Sequence, residues 1–296
     1  MYVLTGATGN TGSEAAQVLL KNGQKVRVLG RSADRLKQLA AQGAEPFVAD
    51  VGDTAALAQA FTGARAVYAM IPPNLAAPDA RAYQDRVSEA LATALAQSGV
   101  RHVVSLSSFG ADQAEGNGPV AGLYLLEHKL NRLPGLNVLH LRAGYFMENT
   151  LPQIGVIKSM GMLAGPLRGD LKVPMIATRD IGQFAAAALL KLDFTGHSTR
   201  ELLGQRDLTM DEVAKVIGPA IGKPSLSYSK LPDMMLKPAL TSMGMSSDVA
   251  SRILEMAGAL NSGHMRALEP RSAANTTPTS FETWVKEVFV PAFEKK

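Results

Sequence analysis

A chain of 296 residues with 46% hydrophobic content can bury a large core, and its 30 Lys and Arg against 26 Asp and Glu give a formal charge of +4. The basic residues are scattered, with no run able to track a phosphate backbone, and no stretch is apolar for long enough to cross a bilayer, so neither nucleic acid nor membrane is expected as a partner. Cysteine is absent, which excludes disulfides, thiolate metal sites and a cysteine nucleophile; with a core strand starting directly after Met1 and no room for a signal peptide, the expected setting is cytoplasmic.

Runs rich in β-branched residues predict strands at 2–5, 25–29, 45–48, 66–70, 102–106 and 137–141, with helical patterns at 11–21, 33–41, 79–97 and 120–133 between them. Such alternation builds right-handed βαβ units, and six strands suit the doubly wound parallel sheet of the Rossmann arrangement. Ser32 is placed to cap the second helix and Gly99 to stop the third. Beyond 142 the alternation breaks. A turn-rich stretch, 161–174, precedes a helix at 181–190, and Thr209 with Glu212 forms a capping box opening another. Helices follow at 233–242, 247–259 and 280–289, with 272–278 as an extended connector. The last helix carries Phe281, Trp284, Val285, Val288 and Phe289 on one stripe, behind a second capping box of Thr279 and Glu282, and should dock. The expected architecture is α/β: a doubly wound parallel-sheet domain over 1–150 and a smaller, mixed region over 151–296. That region packs on the carboxyl edge of the sheet, with the chain free to cross between the two.

The first strand runs into Gly6-Ala7-Thr8-Gly9-Asn10-Thr11-Gly12, a G-x-x-G-x-x-G turn that opens a helix. Glycines there permit a tight turn and close approach of backbone to a pyrophosphate, which the free N–H groups and positive dipole end of the helix attract. At the end of the second strand the chain reads Gly30-Arg31-Ser32, with no acid for a ribose 2′-hydroxyl and an arginine suited to a 2′-phosphate, favouring NADP(H) over NAD(H). Asp50 and Val51 follow the third strand, with Asp50 placed to accept from an adenine amino group. Met70, Ile71 and Pro72 follow the fourth, where this fold contacts the middle of a cofactor.

These segments, with Leu141-Arg142-Ala143-Gly144-Tyr145-Phe146-Met147-Glu148-Asn149, Thr178-Arg179-Asp180-Ile181-Gly182 and Thr277-Pro278-Thr279-Ser280-Phe281, resemble the NmrA-like branch of the atypical short-chain dehydrogenases nearly end to end. The resemblance implies a Rossmann domain holding NADP(H) through Gly6 to Gly12 and Arg31. It implies either a quinone or dye reductase or a non-catalytic NADP(H)-binding redox sensor of the NmrA type. Short-chain dehydrogenases proper need a serine, for which Ser107 and Ser108 close the fifth strand suitably, and a Tyr-x-x-x-Lys pair. Tyr124 is instead followed by His128 at i+4 and by Lys129 at i+5, about 140° away around a helix, so the usual acid lacks its lysine. His128 is the candidate substitute for a proton relay.

A quinone acceptor relieves that lack, because its reduced anion is stabilised and can take a proton from water. Tyr145 and Phe146 leave the sixth strand at the carboxyl edge, where they could flank a nicotinamide, and Asn149 could bond substrate or ribose. Met160, Met162, Met234, Met235, Met243 and Met245 could line an adaptable pocket. The five histidines show no metal-ligand spacing, so no metal is expected. The sequence thus predicts an oxidoreductase for quinones or related planar conjugated carbonyl compounds, with a homodimer the oligomer considered.

Overall fold

The structure, a computed structural model, describes residues 1–295. The six expected strands form as β1 (Tyr2–Leu4), β2 (Val26–Gly30), β3 (Glu45–Val48), β4 (Ala66–Ala69), β5 (His102–Ser108) and β6 (Asn137–Ala143). Around them lie α1 (Asn10–Lys21), α2 (Ala33–Ala41), α3 (Thr54–Phe61), α4 (Ala80–Ser98) and α5 (Ala121–Asn131). The remaining elements are β7 (Tyr145–Phe146), α6 (Gln153–Met160), β8 (Leu163–Gly165), β9 (Val173–Ile176), α7 (Thr178–Lys191), β10 (His197–Leu202), β11 (Arg206–Leu208), α8 (Met210–Ala220) and β12 (Tyr228–Lys230). They end with α9 (Asp233–Ser242), α10 (Ser247–Ser262), α11 (Phe281–Trp284) and α12 (Val290–Glu294), the last two joined by a π-turn at Val285–Phe289.

The central sheet has seven parallel strands in the order β10-β6-β5-β4-β1-β2-β3. The chain works outward from β1 to β3, then returns to β4 on the other side of β1. A crevice therefore opens at the carboxyl ends of β1 and β4, where the connections diverge. Both central strands are apolar at every position and fully buried, as a sheet covered on both faces requires.

Several elements escaped the sequence reading, among them the short strands and α6 beyond residue 142, helix α3 and strand β10. Helix α3 is short and begins at Asp53, whose carboxylate accepts from the Ala56 N–H. Strand β10 reads His-Ser-Thr-Arg-Glu-Leu, a loop-like composition, yet it pairs with β6 along its whole length, from His197 opposite Val138 to Leu202 opposite Ala143. Its buried Glu201 takes the N–H groups of Leu268 and Glu269, so one charge in the strand serves to hold a distant loop. Helix α7 likewise returns to the sheet and lies against α1, so close that a Cβ at Gly182 would stand 2.6 Å from the Thr11 carbonyl oxygen.

The second core gathers β7, β9, α8 and the C-terminal helices around Trp284, which is fully buried with Phe281, Val285 and Phe289. The Trp284 indole donates to Glu148 at 3.1 Å, and Glu148 also takes the Thr178 hydroxyl at 2.7 Å. Capping at Thr209 and Glu212 forms as expected. The expected box at Thr279 and Glu282 does not: Ser280 is the cap, accepting from Thr283, and Glu282 pairs with Arg206. Thr279 is drawn instead to the buried Asp180, giving it both its N–H and its hydroxyl, because a carboxylate without donors in that core would be costly. Ser32 holds its N-cap position without a side-chain bond to the helix.

Because Trp284 carries the packing and one bond of this docking, Trp284→Ala should destabilise the protein by about 3–5 kcal/mol. A fall in the urea midpoint that, multiplied by the m-value, gives that loss checks it.

Candidate active site

The turn after β1 is fixed by contacts that leave no room for side chains. Gly6 has φ +62°, a left-handed conformation, and a Cβ there would fall on the Met70 sulfur. A Cβ at Gly12 would stand 2.5 Å from the Gly6 carbonyl oxygen, so the helix starts only because position 12 is bare. Thr5 stitches the ends of β1 and β4, its hydroxyl donating to Tyr68 O at 3.2 Å and accepting from Met70 N at 3.0 Å. The buried Tyr68 hydroxyl donates to Thr11 Oγ at 3.0 Å and pins the first turn of α1 to the sheet. Burial raises the pKa of that phenol above its ordinary value, so it stays neutral. The N-cap of α1 is Gly9, with no side-chain bond and no acid in the first turn, which leaves the helix N-terminus available to an anion. These features fit a bound pyrophosphate.

From the turn a cleft runs outward, lined by Gly6, Thr8, Gly9, Arg31 and Val51. Arg35, one turn beyond Arg31 on α2, lines it too; the sequence reading missed this second cation although the spacing was visible. Asp50 lies just beside the cleft and already accepts from Gly52 N at 2.7 Å. Ala7 and Thr11 are buried and support the turn from behind, while Asn10 lines a shallow groove on its other side.

Inward, the cleft is lined by Met70, Pro72, Pro73 and Tyr83, and a second cavity of about 330 Å³ adjoins it and shares those four residues. Its walls are the ends of β4 and β5 with Ile71, Leu106 and Ser107, the α4 residue Gln84, and Phe146. Val249 and Ile253 of α10 close it, a contribution from the far end of the chain that no local pattern announces. Helix α10 is held there by Asp248, which accepts from Ala80 N at 2.8 Å, and by Ser246 N, which donates to Leu75 O at 2.8 Å. Among the described residues no charged one lines the cavity.

Other expected residues stand elsewhere. Phe146 reaches the cavity, but Tyr145 turns into the second core, where burial pushes its phenol up to about 12. Asn149 is exposed on a short 3-10 turn and lines neither space. His128 is exposed, stacked on Tyr124 with ring centroids 3.8 Å apart and its Nδ1 2.9 Å from Tyr124 O. Lys129 points away to Asp85 and Glu89, both at 2.8 Å, as its position at i+5 requires. None of the six methionines of the sequence reading lines the cavity; Met160, Met234, Met235 and Met243 are exposed, and the methionine present is Met70.

The NmrA-like family model matches residues 2–285. The chain belongs to the NmrA-like family. It is 30% identical over 260 residues, 86% of each chain, to the NAD(P)H azoreductase of Xenophilus azovorans. It is 31% identical over 226 residues, 76% of this chain and 75% of the other, to the (4-alkanoyl-5-oxo-2,5-dihydrofuran-3-yl)methyl phosphate reductase of Streptomyces griseus. The NADPH-dependent quinone oxidoreductase QOR2 of Escherichia coli, solved with NADPH, shares the fold with a TM-score of 0.77 over 98% of this chain and 100% of that one, at 23% identity. Among the described residues no helix is long and apolar enough to cross a membrane.

Behind the cavity wall of this NmrA-like chain lies a polar seam between α5 and the sheet. Ser107 donates to Glu127 at 2.6 Å, and Arg142 grips the same carboxylate at 3.0 and 2.6 Å. Two residues earlier on β6, the buried His140 contacts Asn131 Oδ1 through Nε2 at 2.9 Å, while its Nδ1 has no partner among the described residues. Burial pushes His140 down to about 4. The unfolded chain, with an ordinary histidine near 6.5, therefore binds a proton that the folded chain refuses. Stability should fall as pH drops from about 6.5 to about 4, by roughly 3 kcal/mol from this residue. Urea unfolding at pH 7 and pH 5 should show about 2 kcal/mol of that loss, and His140→Gln should flatten that part of the slope.

Proposed function

We propose that the chain is an NADPH-dependent oxidoreductase that reduces planar conjugated acceptors such as quinones. The observation that carries this reading is the adjacency of the two spaces: an apolar cavity lies beside the cleft at the glycine turn and shares four wall residues with it. Ligands of doubly wound sheets bind in this crevice, and a mostly apolar cavity of this size suits a flat ring system. In this reading the turn from Gly6 to Gly12 and the N-terminus of α1 hold the pyrophosphate. Arg31 and Arg35 take the 2′-phosphate, Val51 packs against the adenosine end, and Met70, Ile71 and Pro72 guide the middle of the cofactor inward. When bound, the reduced nicotinamide supplies a hydride. Phe146 and Tyr83 give the acceptor flat walls to lie against, and α10 excludes water from above.

The cavity offers no acid suited to protonating an alkoxide. The three hydroxyls on its wall are already donating: Tyr83 to Pro72 O at 2.9 Å, Ser107 to Glu127 and Ser108 to Phe109 O at 3.0 Å. An isolated ketone needs a proton at the moment of hydride transfer, whereas a quinone gives a stabilised phenolate that water can protonate afterwards. Chemistry that needs no enzyme acid matches a wall without one. The similar azoreductase and furanone reductase point to acceptors of the same conjugated kind.

Purified protein should oxidise NADPH with saturation by benzoquinones and naphthoquinones, followed by loss of nicotinamide absorbance. Binding of NADPH without turnover across such acceptors would favour a redox sensor instead. Arg31→Ala should raise the KM for NADPH roughly tenfold or more, with NADH changed by less than about twofold, since only NADPH carries the phosphate. Equal losses for both would remove the role given to Arg31.

A further inference from the structure

The cavity wall combines apolar surface with one hydroxyl whose polarity is fixed from behind. Ser107 sits at the carboxyl end of β5 and lines the cavity, and its single proton lies on the Glu127 carboxylate at 2.6 Å. Glu127 is only 2% exposed and is held by a two-point contact from Arg142, at 3.0 and 2.6 Å. A hydroxyl donating to a buried carboxylate has a stronger bond to keep than one donating to a peptide carbonyl, so Ser107 is not free to turn its proton toward a ligand. What it presents to the cavity is lone pairs. The remaining donors on the wall are the amides of Asn74 and Gln84, and Gln84 already gives one N–H to Pro119 O at 2.8 Å.

Resting on the reading of this cavity as the substrate site, we infer that Ser107 is a specificity-determining residue that accepts a hydrogen bond from the substrate. Glu127 and Arg142 are the positioning residues that make it an acceptor. The favoured substrates are therefore conjugated acceptors bearing an amino or un-ionised hydroxyl group beside the reducible centre, ahead of alkyl- or alkoxy-substituted ones. The wall rewards a ligand N–H or O–H at that point and leaves an ether oxygen facing lone pairs, which is repulsive.

The test measures dissociation constants in protein saturated with NADP+, where no turnover intervenes and the reduction potential of the quinone does not enter. The ligands are 2-amino-, 2-methyl- and 2-methoxy-1,4-naphthoquinone. Wild type is expected to bind the amino compound about fivefold or more tightly than the methyl compound, the worth of one hydrogen bond. Ser107→Ala should bring that ratio close to one. The double variant Glu127→Met, Arg142→Leu removes the buried pair together and frees the Ser107 proton. It should tighten the 2-methoxy compound about fivefold while leaving the 2-methyl compound near its wild-type value, an effect that mere loosening of the fold would not produce. A wild-type ratio near one, with saturable binding of all three quinones, overturns the inference and leaves the reductase reading standing. So does a Ser107→Ala variant that weakens NADP+ and keeps the wild-type ratio, because Ser107 would then serve the cofactor. If none of the quinones binds, the substrate-site reading falls and the inference with it.

Discussion

The structure turns on the close approach of the Gly6 carbonyl to position 12. Only a residue without a Cβ lets the chain leave β1, reverse through a left-handed glycine and enter α1 within one turn. That compression does more than shape a loop. It places the N-terminus of α1 over the carboxyl ends of β1 and β4, and the Tyr68–Thr11 bond then fixes the first helical turn to the sheet. Because α7 packs against the same turn through Gly182, an added methyl at either glycine would separate surfaces that both halves of the chain share.

The C-terminal half is thus part of the site's construction. Helix α7 backs the phosphate turn, β10 completes the sheet beside β6, and α10 closes the apolar cavity. Buried carboxylates perform much of the joining. Glu148 collects donors from α7 and Trp284, Asp180 takes Thr279, and Glu201 holds the loop at Leu268. Each gathers its donors from residues far along the chain, so each works as a directional constraint on where a distant segment must lie.

How much of this was legible follows from the range of the interaction involved. The glycine turn, Arg31 and the alternation of strands and helices are local patterns, and each stands where the sequence put it. Helix α2 and strand β3 match residue for residue. Strand β10 was hidden because an edge strand in contact with a polar loop need not look apolar, and Glu201 serves a partner 67 residues away. Thr279 and Glu282 carry a genuine capping pattern that lost to Asp180 and Arg206, contacts the pattern cannot contain. Adjacent residues on an extended segment face opposite ways, which is why Phe146 lines the cavity while Tyr145 enters the second core. Arg35 is the exception, since a second arginine four residues after Arg31 on a predicted helix was available to be read.

The missing Tyr-x-x-x-Lys pair and the cavity wall bear on the same question. Where a dehydrogenase would pair its tyrosine with a lysine, this chain spends Lys129 on Asp85 and Glu89 and stacks His128 on Tyr124 at the surface. The serine that could have donated to a substrate carbonyl gives its proton to Glu127 instead. These three substitutions of partner remove the machinery for protonating an alkoxide without disturbing the phosphate turn, which depends on none of them. Under the proposed function, a scaffold altered in that way would keep its hold on a dinucleotide and suit acceptors whose reduced form is stable as an anion. The selectivity then lies in the acceptor's own electronic structure and in the few hydrogen bonds a mostly apolar wall can make.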